Sequence, residues 1–157
     1  LSVVVARAGG AGITPILTAG WVELMRAELA LADGNVTDAR TYMEAGLRTQ
    51  IAKVQAFGSV DTTADLSFAP SAGDVNDFID SVLANFDAAD TAGKWDVFGE
   101  QYLVSVYGNG IEAYNFYRRT GAPTRVQPNR APSPGSFIRS MFYPSNAVNT
   151  NSNISQK

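Results

Sequence analysis

The chain has 157 residues, 45% of them hydrophobic and 17% charged, with a formal charge of −3 and neither His nor Cys. That apolar fraction can build a core and sets the chain apart from disordered sequences. The missing Cys excludes disulfides, Cys-ligated metals, a thiol nucleophile and a lipid-modified cysteine within these residues, while the missing His removes the commonest general base, the Ser-His triad and most metal sites.

The mostly apolar start, Leu1 to Ala6, is far too short for a membrane span or a signal core. Ser2-Val3-Val4-Val5 reads as a strand with no partner nearby, and the chain opens on Leu rather than Met. Either the N-terminus is processed or these residues are a piece of a longer protein, and the unpartnered strand favours the second. Thr14-Pro15 predicts a helix start, because Thr accepts from first-turn amides and Pro is pre-organised for the first helical position. Leu17, Trp21, Leu24, Met25, Leu29 and Leu31 follow at mostly helical spacing, and Gly34 suits a left-handed stop. A second helix is expected from Asn35, with Ala39, Tyr42, Met43, Leu47, Ile51 and Val54 on one face and Gly58 to close it. The two form an antiparallel hairpin over about 14–57. Within it Gly34, Ala39, Tyr42, Ala45 and Leu47 are spaced as in a tetratricopeptide unit, where small residues let the helix axes approach. One such unit cannot bury its own face, and no second copy is visible.

Residues 59–73 read as a surface loop, with Asp74 as the cap of a helix carrying Val75, Phe78, Ile79, Val82, Leu83 and Phe86 on one face. Its other face carries Asp77, Asp80 and Asp87 and is expected to be solvated. Thr91-Ala92-Gly93 is expected to break the pattern before a helix over Lys94 to Val106, with Trp95, Phe98 and Tyr102 aligned. Gly108-Asn109-Gly110 then makes a turn, and a short helix through Ile111, Tyr114 and Tyr117 ends at Gly121-Ala122-Pro123, so the C-terminal helices span about 74–121. Residues 122–157 read as an irregular, Pro-rich tail. Pro123, Pro128, Pro132 and Pro134 preclude a continuous helix, Ser136 to Tyr143 suits a short extended segment, and the end from Ser145 is polar and Asn-rich. The fold class is therefore mainly α.

Charge is distributed unevenly. Residues 58–100 carry nine acids against Lys94 alone, and residues 101–157 carry Glu112 against Arg118, Arg119, Arg125, Arg130, Arg139 and Lys157. The simplest expectation is that the two blocks attract each other within one fold or meet chain outside these residues. A nucleic-acid role calls for a denser basic patch, so no nucleic-acid partner is expected. Asp74, Asp77 and Asp80 form a carboxylate series, but spacing of three along an amphipathic helix is what a wet face produces, and nothing marks one as buried acid and another as solvated base. The loops lack the ligand pattern of an EF-hand. Trp21, Trp95, Phe98, Tyr102, Tyr114 and Tyr117 lie on helical core stripes, where packing explains them better than sugar stacking; Tyr107 and Phe116 leave those stripes and are the freer candidates. Arg118-Arg119 sits at a helix C-terminus, where cations complement exposed carbonyls and Arg can fork onto a carboxylate, with the acids of 58–100 as partners.

The run YGNGIEAYNFYRRTGAPTRVQP (107–128), followed by SMFYPSNAVNTNSN (140–153), resembles the C-terminal end of SusD/RagB-like outer-membrane lipoproteins. The hairpin WVELMRAELALADGNVTDARTYMEAGLRTQI (21–51) is similar to that family's late tetratricopeptide helices. The likeness covers nearly the whole chain and is strongest over 94–128. Ala147 departs from it, standing where the family commonly places Glu after Tyr-Pro, so the salt bridge of that Glu is not expected. The resemblance implies that residues 1–157 are the C-terminal portion of a surface-exposed, non-enzymatic lipoprotein of the outer membrane, its lipid anchor upstream. Such a protein captures oligosaccharide, polysaccharide or peptide and passes it to a TonB-dependent, SusC-like transporter. Arg118 to Gly121 looks like scaffold, so no ligand-binding residue is carried over, and no catalytic, cofactor or metal residue is expected. A tetratricopeptide-type interaction scaffold without nutrient ligand is the alternative, and a carboxylate hydrolase using Asp74 a distant third.

Overall fold

The computed structural model describes residues 15–60, 63–127 and 144–153. Ser2 to Val5, Thr14, most of the Pro-rich stretch and the expected extended segment Ser136 to Tyr143 lie outside the described residues. Within them the fold is mainly α: six helices and no strand. These are α1 (Ala19–Ala32), α2 (Val36–Gly58), α3 (Ala72–Ala88), α4 (Thr91–Ser105), α5 (Gly110–Thr120) and α6 (Ser145–Thr150). The chain to Val126 forms one compact unit and residues from Gln127 a second.

Helix α1 starts later than Thr14-Pro15 predicts. Pro15 lies ahead of it, and Thr18 is the cap, accepting from the Trp21 amide through its hydroxyl. Leu17 consequently stands outside the helix. Trp21, Leu24, Ala27, Ala30 and Leu31 are buried, whereas Leu29 is 64% exposed. Counting large apolar residues misplaced Leu29, because the two alanines occupy the buried stripe where α2 comes close. Gly34 takes the left-handed conformation at φ 77°, and Asn35 caps α2 by accepting from the Asp38 amide. Helices α1 and α2 then run antiparallel, and two glycines set their separation. A Cβ on Gly46 would lie 2.8 Å from Leu24 Cγ and 3.1 Å from the Gly20 carbonyl, and one on Gly20 would lie 3.0 Å from the Gln50 nitrogen. Ala39, Met43 and Leu47 fill the seam; Val54, expected on the same stripe, is exposed.

Helix α3 is capped by Ser71 and not by Asp74. The Ser71 hydroxyl accepts from the Asp74 amide while the Asp74 carboxylate accepts from the Ser71 amide, a reciprocal capping box that satisfies two orphan donors. Ile79, Val82, Leu83 and Phe86 are buried as the periodicity predicts, and Phe78 at the stripe's edge is half exposed. The chain breaks at Ala89-Asp90 rather than at Thr91-Gly93. Asp90 caps α4 by accepting from the Gly93 amide, so Thr91 to Gly93 form its first turn. The Lys94 amine donates to the Ala89 carbonyl, closing the end of α3. Gly108 (φ 91°) and Asn109, which caps α5, make the expected turn, and left-handed Gly121 (φ 72°) ends α5. The segment after Gly121 folds back on α4, where Gly99 admits it: a Cβ there would meet the Pro123 nitrogen at 2.9 Å.

The core of this first unit joins α1 to α4 with Phe116 of α5. In the second unit, Ser145 to Thr150 are helical where an irregular tail is expected; Ala147 lies inside α6, and none of its residues is buried. Thr150 donates its hydroxyl to the Asn146 carbonyl, the local back-bonding by which a short polar segment closes a turn.

Candidate functional site

The run EAYNFYRRTGAP has a defined place in the first unit. Its centre is Phe116, wholly buried and stacked on Tyr102 with ring centroids 4.2 Å apart, with Phe98 edge-on at 5.9 Å. Phe116, expected to be a freer aromatic, is thus the anchor of α5. Helix α5 buries Phe116, while Tyr114 and Tyr117 are half-buried beside it. Above the rings lies Arg119, its guanidinium carbon 5.4 Å from the Phe116 centroid. Its Nε donates to Glu28 Oε1 at 2.6 Å and its Nη2 to Glu28 Oε2 at 2.7 Å and to Glu112 Oε1 at 2.9 Å. The Tyr102 hydroxyl donates to the same Glu112 oxygen at 2.8 Å.

One guanidinium therefore ties α5 to α1, and Glu112 ties α5 to α4. The partners differ from those expected: Glu28 and Glu112 lie outside the acidic block of 58–100. Fork geometry and two partly desolvated carboxylates make these strong charge-assisted bonds. The carboxylate bonds, Glu28's first, raise the Arg119 pKa above its ordinary value, keeping it a permanent cation. Burial, followed by the hydrogen bond to Glu112, raises the Tyr102 phenol. Arg118 is exposed.

Behind this clamp is a second polar junction. The Ser105 carbonyl, at the end of α4 where no intrahelical donor remains, accepts from Trp21 Nε1 at 2.7 Å and from Gln50 Nε2 at 3.1 Å. Gln50 Oε1 in turn accepts from the Thr18 hydroxyl at 2.9 Å. Trp21 is thus a core residue with its indole N–H satisfied, and Trp95 packs edge-on against Phe98 at 6.2 Å. Composition could flag Trp21 as needing a partner; its partner, 84 residues away, has no local signal.

The acidic block is put to varied use. Asp74 serves the capping box, and those bonds, the Ser71 hydroxyl's first, lower its pKa. Asp77 and Asp80 are exposed, as expected. Asp87 accepts from Arg40 at 3.0 Å, linking α3 to α2. Asp96 accepts from the amide and the hydroxyl of Thr124, each at 2.7 Å, which lowers its pKa and holds the returning segment on α4. Glu100 pairs with Arg125 at 3.1 Å, a contact between the acidic and basic blocks. Among the described residues no group of three or more acids is placed to hold a metal ion, and no helix is long and apolar enough to cross a membrane.

Two concavities stand out among the described residues. One, of about 390 Å³, is walled by Leu47, Ile51, Val54 and Phe57 of α2, Phe78 of α3 and Val104 of α4, with Gln50, Lys53 and Gln101 at its edge. Val104 is 73% exposed, and Tyr107, the other freer aromatic, is 79% exposed and lines the same groove. Such a surface gains free energy by covering apolar area, about 25 cal/mol per Å², and supplies few hydroxyl partners. The other, of about 460 Å³, combines Val82 and Val97 with Asn85, Asp96, Glu100 and Arg125. Sequence periodicity places Val54 and Phe78 on core stripes; both are exposed and line the first groove. Comparison of the chain with protein-family models, with curated proteins and with solved structures finds no match in any of the three.

Proposed function

We propose that this chain is the C-terminal portion of a SusD/RagB-like surface lipoprotein. That protein captures oligosaccharide, polysaccharide or peptide and hands it to a TonB-dependent, SusC-like transporter in the outer membrane, without a covalent step. The observation that carries this reading is the use made of the resembling run: Glu112, Phe116 and Arg119 each bind α5 to the helices around it, and Gly121 ends α5. A motif of that kind belongs to a scaffold that holds a binding surface in place. Its residues are committed to the fold, so ligand contacts fall on other positions of the parent protein.

The test is a glycan and peptide array probed with the full-length parent, together with affinity purification from its own membranes. Binding of an oligomeric nutrient and co-purification of a TonB-dependent transporter are expected. No bound nutrient, with recovery of an unrelated protein instead, would overturn the reading. That outcome would favour a tetratricopeptide-type interaction scaffold, for which the exposed apolar groove beside α2 and α4 is the supporting observation. Polysaccharide turnover abolished by Asp74→Ala, with α3 still folded, would instead revive a carboxylate hydrolase.

A further inference from the structure

We draw no further inference here: the strongest candidate, the apolar groove between the C-terminal half of α2, Phe78 of α3 and the end of α4, is an unpartnered face, and nothing in the structure shows what covers it.

Discussion

Replacing Arg119 by Ala removes three short N–H···O contacts at once, two to Glu28 and one to Glu112, and leaves both carboxylates without their cation. A hydrogen bond to a charged group contributes about 1.5–3 kcal/mol, and breaking a fully buried ion pair costs about 3–5 kcal/mol. Here the Arg119 side chain is 39% exposed, and Glu28 and Glu112 are 15% and 20% exposed, so solvent screens the network and the carboxylates can rehydrate in part. Lost packing of the guanidinium over Phe116 adds about 0.5 kcal/mol. The expected loss is about 2 kcal/mol, or a fall in Tm of about 4–8 °C for a chain of this length. Arg119→Lys keeps the charge but lacks the fork, and should recover about half of that. Thermal melts followed by circular dichroism, repeated in a double-mutant cycle with Glu112→Gln, would measure the coupling. If Arg119→Ala melts with the wild type, or if it abolishes ligand binding by the parent at unchanged Tm, the clamp reading is wrong.

Three further perturbations probe the same packing. Gly46→Ala should lower stability by about 1 kcal/mol, since overpacking against Leu24 and the Gly20 carbonyl outweighs the gain in helix propensity. Gly73→Ala, whose Cβ would meet only Ser71 Oγ at 3.5 Å, should raise it slightly; urea midpoints moving in the same direction for both would refute the close approach of α1 and α2. Trp21→Phe keeps most of the ring but loses the donor to Ser105, with Gln50 still bonded there, and should cost about 1–2 kcal/mol in a denaturant titration; a cost indistinguishable from zero would contradict the junction. The phenol of Tyr102 ionises at higher pH in the folded state than in the unfolded one. Its contribution is therefore fully present below about pH 10, where the unfolded phenol begins to titrate, and is lost as pH rises beyond it. Tyr102→Phe should flatten the fall of Tm between about pH 9.5 and 11, and an unchanged slope would show that another group governs alkaline unfolding.

Periodicity outlines best those elements in which one face repeats over several turns. Helix α3 is the clearest case, its Ile79, Val82, Leu83 and Phe86 buried as spaced. Its cap is ambiguous in sequence even so, because Asp74 and Ser71 are both good cap residues. The reciprocal Ser71-x-x-Asp74 pairing decides for Ser71. Asp90 shows the same effect at α4, where Thr91 to Gly93 resemble a break only if the residue before them is not recognised as a cap. Phe116 escapes the sequence pattern for a different reason. A short helix presents too few turns to define a stripe, and which of its aromatics goes inside depends on the angle at which α5 meets α4.

Residues and their local spacing determine where this chain turns, caps and presents apolar faces, since those choices rest on neighbours within about four positions. On that basis the mainly α fold and the helical hairpin around Gly34 are accessible from the sequence. Only the tertiary structure decided that Arg119 reaches Glu28 rather than an acid of the 58–100 block, and that Trp21 caps the end of α4. It likewise left Val54 and Val104 facing an open groove. The physical reason is that each outcome turns on groups from different helices, far apart in sequence, and local spacing records neither the partner nor its distance.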